Sequence, residues 1–468
     1  MGQATERKET TLNSHIPPAE KASYPVRPGN KVTPLIDGEP AFLRICEAVE
    51  TAKHSVWVTI AFHDENFRMP GDHGTLFDVL DRAAARGLDV RALFWRINEQ
   101  SGYPETAVFS GLPEHRDMLK ARGSRFQARW DQAQKQYCQH QKSWTIDAGQ
   151  SGEIAFVGGI NLSIPSVVAP GHGGGTEGHI HDVYVEVEGP SASDVHHNFV
   201  QRWNEASERH HDHGIWPDAQ SQSDLIFPTA LSSHAGSSLV QIQRTVRAGH
   251  YTDETNAPDH QSFEIASGEH SIIEQYVSAI DSAQDTIYVE DQAIGSHHVV
   301  ERLDVALARG VGVVYLVPAD ANRHMVDARR DPKNKPFFDA LAALGRHENF
   351  LLAGIAAKGD DGVLRNIYVH AKIAMIDDHW ATIGSCNIGN RSFFGDVELN
   401  ASFWDPDVVR KLRNDLFEEH LGQDLSHMTE RAALAHYRQV AKDNAVRRAK
   451  GEDMTCNAFA LDPARYPS

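Results

Sequence analysis

Two stretches of the chain repeat one spacing of three side chains, His-x-Lys-x4-Asp. The first holds His140, Lys142 and Asp147 in HQKSWTID, and the second holds His370, Lys372 and Asp377 in HAKIAMID. WTID and IAMID are β-favouring runs, which predicts a strand for each motif. Residues two apart on a strand share a face, so each His and Lys should project together into one site. Asp147 and Asp377 fall on the opposite face and are read as structural, anchoring backbone or a basic side chain. A turn of small residues ending in asparagine follows each motif: Gly158, Gly159 and Asn161 in the first case, Gly384, Ser385 and Asn387 in the second. Small residues let backbone approach a ligand, and the Asn amide is a neutral donor. A carboxylate comes later in each half, Asp182 in IHDVYVEVEGP and Glu398 in GDVELNASF. Either can orient an imidazole by accepting from Nδ1–H, and the expectation is that each serves the histidine of its own half. Such a set offers a nucleophile, an acid and donors for negative charge, provided one imidazole is neutral and the other protonated.

The elements that must hold these groups also come twice. Residues 38–58 (GEPAFLRICEAVETAKHSVWV) and 268–289 (GEHSIIEQYVSAIDSAQDTIYV) each read as an amphipathic helix entering a β-branched strand. Arg86-Gly87 and Arg309-Gly310 close the next helix of each copy before another strand. Alternating helices and strands at an offset near 230 residues predict a tandem α/β duplication with mixed sheets and flanking helices. The expected boundaries are a flexible tail at 1–30, a first half at 31–205, a linker at 206–237, a second half at 238–425 and a helical segment at 426–468. Residues 347–358 read as a buried strand, and HHDH at 210–213 as a solvated loop. The loop at 171–179 reads equally as a lid or a surface loop. Ile164 and Phe394 follow the two asparagine turns and would suit a membrane-facing rim, although Phe393 and Phe394 fit a core better.

Composition narrows the function classes. The 468 residues carry 45 basic and 64 acidic side chains, a net charge of −19 that disfavours non-specific binding to long nucleic acid. No apolar run is long enough to span a bilayer, and the polar amino terminus lacks the core of a secretory signal. Four scattered cysteines with no C-x-x-C pair read as reduced thiols in an intracellular protein.

The paired motifs resemble the phospholipase D superfamily, and the strand IYVEDQ at 287–292 is similar to that family's second-half strand. The resemblance covers about residues 35 to 420; its one small departure is GSCN in place of the commoner GSAN. It implies two α/β halves meeting face to face, with one phosphodiester site in the cleft between them. It further implies His140 as nucleophile and His370 as acid and base, with Lys142, Lys372, Asn161, Asn387, Gly159 and Ser385 around the phosphate and Asp182 and Glu398 as orienting carboxylates. A phosphohistidine forms, and water or an alcohol then releases it. No metal and no cofactor are expected in that chemistry, because lysines and amides supply the charge that a cation supplies elsewhere. The expected protein is a monomer in the cytoplasm acting on phospholipid, with peripheral membrane contact allowed and nucleic acid disfavoured. Nuclease, small-molecule phosphodiesterase and cardiolipin-synthase-like transfer are the alternatives.

Overall fold

The structure is a computed structural model describing residues 14–467, apart from 99, 101, 104–107, 175–177, 218–221 and 261–262. In the first half, β1 (Arg27–Ile36), β2 (Ser55–Ile60), β3 (Asp89–Trp95) and β4 (Gln127–Asp131) are followed by β5 (Ser143–Ile146) and β6 (Ile154–Gly158). Short β7 (Ile180–His181), β8 (Val183–Glu188) and short β9 (Ile215–Trp216) complete it. The second half begins with β10 (Ser238–Val246), β11 (Glu269–His270), β12 (Thr286–Glu290), β13 (Gly312–Leu316) and β14 (Phe350–Lys358). It continues with β15 (Leu364–Val369), β16 (Ile373–Ile376), β17 (Trp380–Gly384), β18 (Glu398–Trp404) and β19 (Ala458–Leu461).

The pairings give the first sheet the order β9-β4-β3-β2-β5-β6-β8-β1 and the second the order β19-β14-β13-β12-β16-β17-β18-β10. Three neighbouring strands are parallel in each and the rest antiparallel, so both sheets are mixed as expected. Register repeats too: Val56 lies opposite Ile146, and Ile287 opposite Ile376. Even the arginine before each helix-closing glycine is reused. Arg86 donates to the carbonyls of Val49 and Ala52, and Arg309 to those of Ile280 and Ala283. Gly87 and Gly310 take φ of 85° and 95°, a region that costs a side chain free energy.

Each sheet is apolar on both faces, which is why its strands read as nearly continuous β-branched runs. One core lies between the sheets, with Val157, Val183 and Val185 from the first and Val240, Ile383 and Leu399 from the second. Separate outer cores fill the space under each half's own helices. Strands β1 and β10 pair antiparallel and join the two sheets at one edge.

The ends of the chain differ from expectation. Residues 14–30, expected to be flexible, are packed against both halves, with Arg27 paired to Asp194 of the first. Ile16 and Tyr24 are fully buried, Trp404 donates to the Ile16 carbonyl, and Gln241 exchanges hydrogen bonds with Ala19. The apolar residues scattered among the prolines there were the overlooked signal. The carboxyl-terminal segment is not all helix: after helix Glu430–Ala449, β19 adds to the edge of β14. Within 206–237, β9 pairs with β4 and Ser232 is buried on Glu153, so the described part of that stretch is held on the first half. The 347–358 stretch is the buried β14, and His210, His211 and His213 are exposed.

Candidate active site

His140 and Lys142 lie on the extended segment entering β5, and His370 and Lys372 on the link between β15 and β16, so neither His–Lys pair sits within a regular strand. The reason is that each histidine's backbone leaves its own sheet for the other half. His140 N–H donates to the Val397 carbonyl at 2.9 Å, and His370 N–H to the His181 carbonyl at 2.8 Å. Those two acceptors are the residues immediately before Glu398 and Asp182.

The carboxylates are therefore exchanged between halves, and the expectation of own-half pairing is corrected. Glu398 takes the Nδ1–H of His140 at 2.9 and 3.0 Å, while Asp182 takes that of His370 at 2.5 Å. Both pairs are almost fully buried. An ionised carboxylate only accepts, so the proton sits on Nδ1 and each Nε2 is left with its lone pair. Ser385 Oγ donates to Glu398 at 2.5 Å and so acts on the carboxylate that holds His140.

Each lysine folds back on its own motif: Lys142 Nζ donates to the His140 carbonyl at 2.8 Å, and Lys372 Nζ to that of His370. Gly159 is required by space. A Cβ there would stand 2.4 Å from Asp182 Oδ1 and 3.0 Å from Lys372 Cδ. Asn161 and Asn387 each keep a buried side-chain oxygen with no hydrogen-bond partner among the described residues. A cavity of about 670 Å³ opens beside His140 and Asn387, lined by Tyr103 and Gln136 from one half and Gln292 and Met325 from the other.

Burial and the two ammonium groups set the electrostatics. His140 is held well below the usual imidazole range, first by desolvation and then by the charge of Lys142. His370 is lowered to about 4 by desolvation and Lys372, with Asp182 working against both. Desolvation pushes Lys142 down to about 8 and also lowers Lys372. Glu398 is pushed up to about 7 by burial. A bound phosphodiester anion would offset both lysine charges and raise both imidazoles.

Asp147 and Asp377 stand outside this constellation, in turns with φ of 54°. Asp147 accepts the N–H groups of Lys53, His54 and Ser55, and Asp377 those of Gln284, Asp285 and Thr286. Each ties the start of β2 or β12 to its motif strand.

Two buried aspartates went unnoticed in the sequence. Asp291 accepts from the Ile388 N–H at 2.8 Å and fixes the turn bearing Asn387. Asp396 accepts from the Cys138 N–H at 2.8 Å and from Arg391. Both had a signal: Asp291 directly follows a central strand, and Asp396 precedes Glu398 by two, on the same face. The aromatic and aliphatic residues after the asparagine turns divide. Phe393 is buried, whereas Phe394 is 40% and Ile164 51% exposed.

Two His–Lys pairs, each held by a carboxylate of the opposite half and each followed by an asparagine turn, meet across a pseudo-symmetric α/β pair, with His140 and Asn387 lining the cavity. Family models described as "Phospholipase D" and "Cardiolipin synthase, PLD-like domain" match residues 164–327 and 276–421. The chain is 24% identical over 403 residues to a cardiolipin synthase of Listeria monocytogenes serotype 4a, covering 84% of this chain and 69% of that one. It is 22% identical over 549 residues to phospholipase D alpha 2 of Oryza sativa subsp. japonica, covering 88% and 66%. The crystal structure of phosphatidylserine synthase from Haemophilus influenzae Rd KW20 superposes with a TM-score of 0.54 at 14% identity, over 91% of this chain and 97% of that one, which establishes the shared fold. The chain belongs to the phospholipase D superfamily, with two such units in tandem.

Proposed function

We propose that the protein cleaves the headgroup-side phosphodiester of phospholipids in two steps, through a phosphohistidine on His140. The observation that carries this reading is the pair of crossed His–carboxylate contacts. They hold each imidazole by its Nδ1 from the opposite half and leave both Nε2 atoms free to act on one phosphodiester. In the first step His140 Nε2 attacks phosphorus, the P–O bond to the headgroup alcohol breaks, and His370, protonated on Nε2 once the bound anion has offset the lysine charges, gives that oxygen its proton. In the second, His370 takes a proton from water, whose oxygen displaces His140 and frees phosphatidic acid. Lys142, Lys372, Asn161 and Asn387 donate to the non-bridging oxygens as charge builds there. The assignment of roles is supported by the short contact with Asp182, which helps His370 carry a proton.

A second reading is favoured by the resemblance to cardiolipin synthase over 84% of the chain. An alcohol, such as the glycerol end of a second phospholipid, would then take the place of water in the second step. Ile164 and Phe394, exposed just beyond the two asparagine turns, support contact with a lipid surface. No helix among the described residues is long and apolar enough to cross a membrane.

The test is a parallel assay of the purified protein on mixed-headgroup liposomes with and without added glycerol, on single-stranded DNA and on a nitrophenyl phosphodiester, with EDTA present in a matched set. Headgroup release from liposomes exceeding DNA cleavage is expected, and phosphatidyl transfer to glycerol would identify the second reading. Efficient DNA cleavage with inert liposomes would retire both.

A further inference from the structure

Behind the Asp182–His370 pair lies a second buried cluster that the chemistry above does not use. Asp37, His172, His181 and Glu419 bring one ligand-type atom each to within 4.8 Å of all the others. We propose that these four side chains form a structural metal site of the zinc class, which pins the two halves together directly behind the reaction centre.

The distances fit a tetrahedral shell. His172 Nε2 stands 3.0 Å from Glu419 Oε1, 3.2 Å from Asp37 Oδ2 and 3.3 Å from His181 Nδ1. His181 Nδ1 stands 2.9 Å from Asp37 Oδ1 and 3.5 Å from Glu419 Oε1. Four N and O ligands about 2.0–2.1 Å from a tetrahedral zinc are about 3.3 Å apart along each edge. Two imidazoles with two carboxylates in that geometry favour Zn²⁺ over the hard cations, which want six or more oxygens.

Hydrogen bonds alone do not satisfy the cluster. Among the described residues, Asp37 Oδ2 and both oxygens of Glu419 have no hydrogen-bond partner, although Asp37 is fully buried and the Glu419 side chain is 3% exposed. Protonating both His172 and His181 would set two N–H groups head to head at 3.3 Å. Protonating only His181 leaves the His172 lone pair facing carboxylate lone pairs at 3.0 and 3.2 Å. A cation at the centre turns every one of these repulsions into a bond.

The surroundings supply the outer support that histidine ligands ordinarily have. The far nitrogen of His181 donates to Glu290 at 2.8 Å, and Glu290 accepts in turn from the Tyr288 hydroxyl at 2.7 Å. Three of the ligands come from the first half, while Glu419 comes from helix Pro406–Leu421 of the second. The site also grips the catalytic pair. Asp37 N–H donates to the Asp182 carbonyl at 2.8 Å, and the His181 carbonyl accepts from His370 N–H. With four protein ligands, the metal has no open position for a phosphate, so it is a positioning device and takes no part in bond cleavage. It also gives the loop at 171–179 a use that is neither lid nor plain surface: the described part carries His172 inward to 3% exposure, while residues 175–177 lie outside the described residues.

The experiment is elemental analysis of the full chain purified without chelator, together with its thermal unfolding. Bound zinc near one equivalent is expected, with X-ray absorption showing N/O neighbours only. Glu419→Gln and His172→Ala should each lose that zinc, and prolonged dialysis against a strong chelator should lower the unfolding temperature until zinc is returned. Glu419→Gln keeps the shape of the side chain, so it remains informative if His172→Ala fails to fold. A well-folded chain that is metal-free and gains no stability from added Zn²⁺ would overturn the proposal. So would zinc that survives both variants but disappears when His210, His211 and His213 are replaced, because it would then be adventitious surface metal.

Discussion

At the residue scale, the two histidines are alike in partner type but not in environment, and the difference can be measured. A nitrophenyl diester has a good leaving group and hardly needs an acid, so His370→Asn should still allow attack by His140. Release then lacks its general base, a loss of about 10²–10⁴-fold. A burst of nitrophenol and added mass on the peptide holding His140 are expected, with neither in His140→Asn. An adduct on His370 in the His140→Asn protein would reverse the roles. Lys142 gives a pH signature of its own. Its native pKa is about 8, below the ordinary 10.5, so the free protein loses this ammonium as pH rises through 8. A non-titrating dialkyl phosphate needs the charged form, and its inhibition constant should weaken by up to about tenfold per pH unit above 8. A flat profile up to pH 10 would show that this lysine does not meet the anion.

At the element scale, the motif aspartates act as clamps on strand starts. Asp377 is 3% exposed and one of its three N–H donors belongs to an exposed residue, whereas Asp147 is half-buried and two of its three donors belong to exposed residues that water can reach. Asp377→Ala should therefore destabilise by about 1–3 kcal/mol in urea unfolding, and Asp147→Ala by less. Equal losses would contradict this ranking. The elements themselves were largely legible beforehand, because helix-closing glycines, β-branched runs and a constant offset are local signals. The partners of Glu398 and Asp182 were not. Sequence separation favours short-range pairing, and only the face-to-face docking of the sheets brings His140 to a carboxylate 258 positions away. The packing of residues 14–26 was hidden for the same reason, since their apolar contacts are all with distant chain.

At the scale of the whole molecule, the core between the sheets, the β1–β10 pairing and the crossed carboxylates make the halves one working unit. Residues 14–235 or 236–468 produced separately should show no turnover of the nitrophenyl diester, although each keeps a complete His-Lys-Asn set. Mixing them should restore some. Activity in a gel-filtered monomeric half would show that the crossed contacts are dispensable. The exchange also orders events in time. During synthesis the first motif leaves the ribosome long before residue 398 exists, so a folded amino-terminal half carries a histidine whose Nδ1 has nothing to hold it. The second motif reaches its aspartate at once but has no nucleophile docked opposite until the later strands close. On the mechanism proposed above, a nascent chain is thus chemically silent until Glu398 has been added, so a partly made chain cannot cleave its substrate.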